Sequence, residues 1–246
     1  MTENITRDSS RFYRLRALIP QVLTGSRIVF GAAAIITAGN GRLEIAAMLV
    51  TLGAVTDILD GFLARRLGVA SAFGALFDTF TDYLCFVVAP WAMCRALIGA
   101  EGSVFYETLT GLPLLTGALR YARNSLIIAT QTGVVRELPG LATVFFAFLP
   151  VVTVFLDARA FVNESILAGI LTFLTVIFSL LMVTSVRYPK LTNFSGASAL
   201  ILILLVAMPF LGTRVLAGLM FIVGLCYVAL GPLLIRDRSA KSDEPV

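Results

Sequence analysis

Long apolar runs restrict the fold of this chain more than any other feature of its sequence. A run of about 20 apolar residues is long enough to cross the hydrocarbon core of a bilayer as a helix. Backbone polar groups find no water there, so they must be paired within the protein. We therefore predict an all-α polytopic membrane protein with about eight spans, of which the last two form a hairpin. The apolar runs lie at residues 21–39, 43–65, 74–98, 108–128, 138–156, 164–187, 196–211 and 213–235.

The charged residues support this interpretation and predict an orientation. Only 14% of the residues are charged, against about 25% in a soluble domain. Lys and Arg concentrate on the cytoplasmic side of membrane proteins. Eight spans place all but four of the 19 Lys and Arg residues on one face. We therefore expect both termini on the cytoplasmic side of a bacterial-type inner or plasma membrane. The exceptions are Arg42, Arg95, Arg159 and Arg214.

Two further points follow from the charge distribution. A six-span chain without the final hairpin would have the same orientation, so the charges do not decide between the two counts. The net charge of +4 is accounted for by topology and by attraction to anionic lipid, and no nucleic-acid partner is predicted. The Arg-rich segment 8–20 is either an amphipathic helix on the membrane surface or a disordered tail with an anchoring end.

Four aspartates stand out against this apolar background. A charge at the centre of a bilayer costs at least about 2.5 kcal/mol. Asp57 and Asp60 have i, i+3 spacing in TDILDGFLARR, and Asp78 and Asp82 have i, i+4 spacing in GALFDTFTD. Each pair therefore shares one face of a helix. Because only residues 66–73 connect the two helices, the sequence predicts four carboxylates together near the cytoplasmic membrane surface.

The absence of histidine limits what this cluster does. The chain has no His, which excludes Ser-His-Asp and Cys-His catalysis and histidine-based zinc sites. Carboxylates alone favour hard cations such as Mg²⁺ or Mn²⁺. Two ions would neutralise four carboxylates better than one. Arg65, with small residues on both helices, suits phosphate oxygens and indicates phosphoryl-group chemistry. Structural Asp–Arg pairing between helices and a proton or ion path through a transporter remain alternatives.

One motif covers all of these residues. The pattern DxxDGxxAR, eight further residues, then GxxxDxxxD runs from Asp57 to Asp82. It resembles the complete signature of the CDP-alcohol phosphotransferases. The resemblance implies a six-helix membrane core, usually in a homodimer, in which an alcohol attacks the β-phosphorus of a CDP-linked donor and CMP leaves. It implies that Asp57, Asp60 and Asp78 bind the metal ions. Asp82 completes this metal site and is also the expected catalytic base. Donor-site residues by the same resemblance are Thr24, Gly61, Ala64, Arg65 and Gly74.

Other stretches concern the acceptor alcohol. SAFG at 71–74, RYARN at 120–124 and LMVTSVRYP at 181–189 are similar to the membrane-type phosphatidylserine synthases of that family. This implies CDP-diacylglycerol as donor and L-serine as acceptor. An arginine fork suits the serine carboxylate, and the candidates are Arg120, Arg123 and Arg187. The alternative is that these arginines only mark the cytoplasmic side.

One residue departs from the serine branch. Arg27 stands where that branch usually has asparagine, and it resembles branches that use glycerol phosphate or inositol phosphate. Arg27 is therefore a fourth candidate for binding the acceptor. The predicted organisation is an interfacial N-terminal segment at 1–18, the phosphotransferase core at 19–190, the additional hairpin at 191–236 and a cytoplasmic tail at 237–246.

Overall fold

The computed structural model describes most of the chain up to residue 189. It covers residues 2–69, 71–99, 104–130 and 137–189, and six later positions, Arg214, Ala217, Gly218, Ile222, Gly224 and Val228. Only the backbone is described for 2–15, 128–130, 137, 138, 187 and 189. The predicted hairpin at 191–236 lies outside the described residues except at those six positions, and so does the predicted tail.

The described chain is almost entirely helical, as predicted. One short antiparallel ladder pairs Leu138 with Tyr188. A π-helical turn, Leu84–Val88, joins α3 to α4, and a 3₁₀ turn, Ala158–Ala160, follows α7. The elements in order are α1 (Thr2–Gly39), α2 (Leu43–Leu67), α3 (Ala72–Tyr83), α4 (Ala89–Ile98), α5 (Val104–Thr110), α6 (Leu112–Thr130), β1 (Glu137–Pro139), α7 (Thr143–Phe155), α8 (Glu164–Val183) and β2 (Arg187–Pro189).

Four of the described segments are long and apolar enough to cross a membrane. They are Arg16–Gly39, Leu43–Leu67, Ala72–Ile98 and Glu164–Val183. The chain is therefore a multi-pass integral membrane protein. Helices α6 and α7 correspond to two further predicted runs, although α7 has only 13 residues. The predicted count of eight spans is not confirmed. Helix α1 begins at Thr2, so residues 8–20 are helical and continue directly into the first span. They do not form the disordered tail that was one of the two predicted alternatives.

Small side chains form the contact between α1 and α2. These two helices share the most extensive interface among the described elements. The buried core there includes Ala34 and Ala38 on α1 and Ala46, Ala47 and Val50 on α2. Small residues let two helix backbones approach closely, which gains dispersion energy where lipid offers no hydrophobic driving force. This packing places Thr24 and Arg27 of α1 beside the aspartates of α2.

Three other helices approach the π-helical turn through glycine residues. The N–H of Ala89 donates to the carbonyl of Leu84, five residues back, and Pro90 then contributes no N–H. Glycines on α1, α2 and α6 face this turn. A methyl group on Gly53 would overlap Cys85 Sγ, one on Gly31 would lie 3.2 Å from Cys85 Cα, and one on Gly117 would lie 3.0 Å from Val87.

We expect Gly53→Ala to destabilise the protein by about 1–3 kcal/mol, because the added methyl overpacks a fully packed contact. The measurement is thermal unfolding of the purified protein in detergent. Gly169→Ala is the matched control, because no atom of the described residues lies within 4 Å of a methyl group there. Alanine favours the interior of a helix, so this control should be neutral or slightly stabilising. Equal melting temperatures for the two variants would contradict the expectation.

Candidate active site

The connection between α2 and α3 brings the two aspartate pairs together. Gly68 ends α2 in the left-handed conformation, and its N–H donates to Arg65 O. The N–H of Val69 donates to Ala64 O at 3.1 Å. Ser71 then caps α3 by accepting a hydrogen bond from the Gly74 N–H at 3.0 Å. Both helix ends are thus satisfied locally, and the chain reverses within a few residues.

Three of the four carboxylates form a group of the size that a metal ion requires. Asp57, Asp60 and Asp78 each place one oxygen within 4.8 Å of the oxygens of the other two. The Asp60 side chain is 6% exposed, whereas those of Asp57 and Asp78 are 35% and 42% exposed. The group is therefore buried on the Asp60 side and open on the other. Asp82 lies beside it, with a side chain that is 17% exposed.

Arg27 of α1 contacts all four aspartates. Its Nη1 lies 2.8 Å from Asp57 Oδ1 and also bonds Asp82 Oδ1. Its Nη2 lies 2.7 Å from Asp60 Oδ2 and also bonds Asp78 Oδ1. The side chain is fully buried. Each Nη atom is thus shared between two carboxylates. Arg27 therefore does not present the free fork that the sequence-based prediction of an acceptor-binding role requires.

Thr24 lies one turn before Arg27 on α1. Its hydroxyl is 2.6 Å from Asp60 Oδ2 and 2.9 Å from the carbonyl oxygen of Pro20. A hydroxyl has a single proton to donate, so these two acceptors compete for it. The side chain is buried. Thr24 is therefore placed to orient Asp60, rather than only to line the donor pocket.

The other predicted donor residues lie on the two helix ends that frame the cluster. A methyl group on Gly61 would lie 3.4 Å from Arg65 Nη1, so the Arg65 guanidinium lies directly beside Gly61. Arg65 is exposed, and Ala64 and Gly74 are partly exposed. The backbone of Ala64 and the N–H of Gly74 belong to the turn described above. These residues leave an open surface that includes the exposed guanidinium of Arg65.

Two of the predicted acceptor arginines lie on α6, in different surroundings. Arg120 is buried, and its guanidinium lies 5.5 Å from the centre of the Tyr121 ring. The Tyr121 hydroxyl is 2.6 Å from Thr143 Oγ1, and the Tyr121 ring packs edge-on against the ring of Tyr83, the residue after Asp82, with ring centres 6.3 Å apart. Arg120 is thus on the same side of the molecule as the aspartate cluster.

Asn124 lies one turn further along α6. The residue is buried, and its Oδ1 has no hydrogen-bond partner among the described residues. A buried acceptor without a partner is rare in proteins and calls for an explanation. Tyr121, Asn124 and Thr143 were not among the predicted site residues. The RYARN motif contains the first two, and it was the available signal for them.

Arg123 has a structural role in this fold. It donates from Nη1 to Val183 O at 2.9 Å and Thr184 O at 3.3 Å, and from Nη2 to Pro139 O at 2.8 Å and Met182 O at 3.2 Å. All four terminal N–H groups are thereby used to bind the end of α8 and β1 to α6. The predicted contact with an acceptor carboxylate is not supported by this arrangement, because those donors are already taken.

Gly140 and Arg187 complete this region. Gly140 has a φ of +82°, and its Cα faces Met182 O and Arg123 Nη2, where a methyl group would lie 2.7 Å from the arginine nitrogen. Its N–H donates to Val186 O at 2.8 Å. Glycine is required here both by the backbone angle and by the space. The backbone of Arg187 pairs with Pro139, but the Arg187 side chain lies outside the described residues.

The charge of the cluster fits a divalent cation. Four carboxylates and one guanidinium leave three negative charges without a partner in the cluster, and the side chains are partly removed from water. Burying uncompensated charge of this size is highly unfavourable. The donor set consists of carboxylate oxygens alone, which hard divalent cations prefer. An acidic cluster that suits a divalent cation thus lies in a membrane protein near the exposed Arg65, a combination that suits phosphoryl-group transfer.

Comparison with known families is more specific. The sequence model of the CDP-alcohol phosphatidyltransferase family matches residues 17–228. The chain belongs to this family and is a phosphatidyltransferase of phospholipid biosynthesis. The family uses divalent metal ions, in agreement with the acidic cluster. Membership also excludes the transporter alternative.

Similar proteins come from bacteria and archaea. The chain is 28% identical to the CDP-diacylglycerol–serine O-phosphatidyltransferase of Helicobacter pylori over 85% of this chain and 87% of that protein. It is 28% identical to the archaetidylserine synthase of Methanothermobacter thermautotrophicus over 74% of this chain and 73% of that protein. It is also 28% identical to a CDP-diacylglycerol–serine O-phosphatidyltransferase of Methanocaldococcus jannaschii over 59% of this chain and 64% of that protein.

Proposed function

We propose that this enzyme transfers the phosphatidyl group of CDP-diacylglycerol to L-serine, producing phosphatidylserine and CMP. The four-aspartate cluster at the α2–α3 connection is the observation that carries the chemistry. The serine-specific names of the relatives support the choice of acceptor, since two of them match most of the chain. We further propose that the site faces the cytoplasm of a bacterial-type inner membrane and that the enzyme is a homodimer.

Donor binding is assigned to the open side of the cluster. Asp57, Asp60 and Asp78 would hold the divalent cation, Mg²⁺ or Mn²⁺, which supplies Lewis-acid stabilisation of phosphate oxygens when bound. Arg65 lies beside Gly61 at the exposed end of α2, where its guanidinium can bind the diphosphate. The small residues Gly61, Ala64 and Gly74 leave room for the cytidine diphosphate.

Asp82 is assigned as the base. The serine hydroxyl oxygen forms a bond to the β-phosphorus, the bond from that phosphorus to the oxygen of CMP breaks, and the hydroxyl proton passes to the Asp82 carboxylate. Asp82 lies next to the three-carboxylate group without belonging to it. It is thus close to the reacting phosphate while it keeps an oxygen that is not bonded to Arg27. A positioned base of this kind contributes about 10²–10⁴-fold to the rate.

The acceptor pocket is assigned to α6. Arg120 is the predicted acceptor arginine whose guanidinium lies over the ring of Tyr121, which in turn packs against Tyr83 beside Asp82. Its guanidinium suits the serine carboxylate. The Asn124 Oδ1 atom, a buried acceptor without a described partner, suits the serine ammonium group. Arg187 remains a predicted acceptor residue.

A phosphorylated acceptor is less well supported by this arrangement. Glycerol phosphate or inositol phosphate brings a phosphate with up to two negative charges, which calls for several free cationic donors. Arg27 is engaged by four aspartates, and Arg123 by four carbonyl oxygens. Neither residue therefore presents a free fork for such a phosphate.

The test is an acceptor assay with the purified protein. We expect CMP release from CDP-diacylglycerol with Mn²⁺ or Mg²⁺ when L-serine is added, with phosphatidylserine as the lipid product. Chelation of the metal should abolish it. D-serine and buffer alone are the controls for a specific acceptor site. CMP release only with glycerol phosphate or inositol phosphate would contradict serine as acceptor, and no release with any acceptor would contradict the proposed function as a whole.

A further inference from the structure

A cavity lies at the start of α2, at the other end of this helix from its aspartates. We propose that this cavity binds the headgroup of a zwitterionic phospholipid, one that carries a phosphate and a primary ammonium group. Its volume is about 390 Å³, within the range of small-molecule sites. The lining, which defines what we call the Arg42 cavity, includes Arg42, Glu44, Leu97, Asp157 and Arg159.

The position of the Arg42 cavity along α2 places it near a membrane surface. Arg42 directly precedes α2, which begins at Leu43 and is long and apolar enough to cross a membrane. A helix rises about 1.5 Å per residue, so Arg42 and Asp57 are about 22 Å apart along the axis. The hydrocarbon core of a bilayer is about 30 Å thick. The cavity is therefore at the level of the lipid headgroups, on the face opposite to the proposed donor and acceptor sites.

Arg42 is one of the four arginines that depart from the charge bias of this chain. Its side chain is exposed and has no hydrogen-bond or ion-pair partner among the described residues. Arginine is disfavoured on the side of the membrane with few basic residues, so an Arg42 without such a partner, beside a cavity, indicates an anionic ligand. Each of the other three contacts a protein oxygen. These contacts are Arg95 to Glu107 at 3.1 Å, Arg214 to Asp157 at 2.8 Å, and Arg159 to Ala96 O and Leu97 O, both at 2.9 Å.

Phosphate is the anion that the cationic part of the cavity suits. The Arg42 guanidinium carries a planar fork of donors that matches phosphate oxygens. Arg159 lines the same cavity, and the two carbonyls at the end of α4 hold its Nη2, which fixes the position of a second positive charge. The N–H of Ala46 donates to Arg42 O at 3.1 Å. The three N–H groups before it precede the hydrogen-bonded part of α2 and add donors at the wall of the cavity.

Two carboxylates on the same cavity restrict the ligand further. Glu44 is exposed and has no side-chain partner among the described residues, whereas Asp157 is paired with Arg214. A ligand with a phosphate alone would bring like charges close together. A primary ammonium group on the same ligand compensates Glu44 and supplies three N–H donors. A quaternary ammonium has no such donor, and a serine headgroup adds a carboxylate, so a headgroup of the ethanolamine type fits these charges best.

The experiment is a binding titration with a short-chain phospholipid. Purified protein in detergent is titrated with dihexanoyl-phosphatidylethanolamine, and bound lipid is counted by native mass spectrometry. We expect Arg42→Gln to weaken binding by about tenfold, the effect of losing one charge-assisted contact. Arg95→Gln is the matched control, because Arg95 is exposed, pairs with Glu107 and does not line the cavity. This variant should bind the lipid as the wild type does.

A comparison of headgroups tests the role of Glu44. The wild type should bind the ethanolamine lipid about fivefold more tightly than dihexanoyl-phosphatidylglycerol or dihexanoyl-phosphatidylcholine, which lack a primary ammonium group. Glu44→Gln should lose this preference and still bind phosphatidylglycerol. Displacement of the lipid by an equal concentration of inorganic phosphate would overturn the proposal, because it would identify free phosphate as the ligand.

Two further results would overturn the proposed lipid site. One is equal binding of the ethanolamine lipid by the wild type, Arg42→Gln and Arg95→Gln, which would place the bound lipid elsewhere. The other is a wild type without preference for the primary ammonium group. Thermal unfolding checks that the variants fold, and exposed substitutions of this kind should change stability little. If Arg42→Gln does not fold, the comparison of the wild type with Glu44→Gln decides. No step of the proposed reaction uses this cavity, so the outcome is independent of the acceptor assay.

Discussion

Asp82→Asn should lower serine-dependent CMP release by about 10²–10⁴-fold, the usual contribution of a positioned base. Asparagine keeps the size of the side chain and can still accept a hydrogen bond from Arg27, but it does not take up the hydroxyl proton. Asp82 lies outside the group of three carboxylates closest to one another, so binding of the donor should change little. The measurements are CMP release at saturating serine and binding of CDP-diacylglycerol in the absence of serine.

A matched control for this substitution is Asp157→Asn. Asp157 follows α7 and pairs with Arg214 at 2.8 Å, near the α1–α2 connection and a helix length from the cluster. Both residues of that pair are more than half exposed, and an exposed ion pair contributes little. This variant should keep wild-type CMP release. If Asp82→Asn released CMP at the wild-type rate, Asp82 would not be the catalytic base.

Asp60→Asn should lower activity to a comparable extent. It should leave the stability of the metal-free protein unchanged or raise it. Asp60 is the most buried member of the metal group, so its loss should reduce CMP release by at least about 100-fold, the upper range for disturbing a supporting residue of a metal site. Removing one of three uncompensated negative charges reduces repulsion within the cluster. Asparagine can still accept hydrogen bonds from Thr24 and Arg27 through its amide oxygen.

The two effects are separated by thermal unfolding with a chelator and with Mn²⁺. Wild-type protein should be stabilised by Mn²⁺, because a ligand that binds only the folded state shifts the unfolding equilibrium. Asp60→Asn should melt at or above the wild-type temperature in chelator and gain little from Mn²⁺. A variant that melts well below wild type in chelator would show that the Asp60 charge supports the fold instead of opposing it.

Local periodicity is what made the aspartate cluster predictable. Asp57 with Asp60 and Asp78 with Asp82 follow the spacing of one helix face, and the connection between them is short enough to force the helices together. Their juxtaposition follows from geometry over fewer than 30 residues. The all-α class followed in the same way from the lengths of the apolar runs, each of which is a local property of the chain.

The partners of the arginines depend on tertiary packing and could not be predicted in that way. Arg27 is 30 to 55 positions from the aspartates that it contacts, and Arg123 is about 60 positions from the carbonyl groups at the end of α8. An arginine near a membrane surface suits a lipid phosphate, a substrate or a protein carboxylate equally well. Only the approach of α1 to α2, and of α6 to α8, selects among these partners.

The π-helical turn after Asp82 fixes the rotational relationship between two halves of one membrane span. A π turn holds one more residue than an α-helical turn, and one residue corresponds to about 100° of rotation around a helix. Asp78 and Asp82 before it face the cluster, while Met93 and Cys94 after it are fully buried in the core. Deleting a single residue from Leu84–Val88 would leave a continuous helix but turn one of these faces away from its partner. The number of residues in this segment is therefore more constrained than their identity. It determines the rotation of the aspartate-bearing half of the span relative to the half that packs in the core.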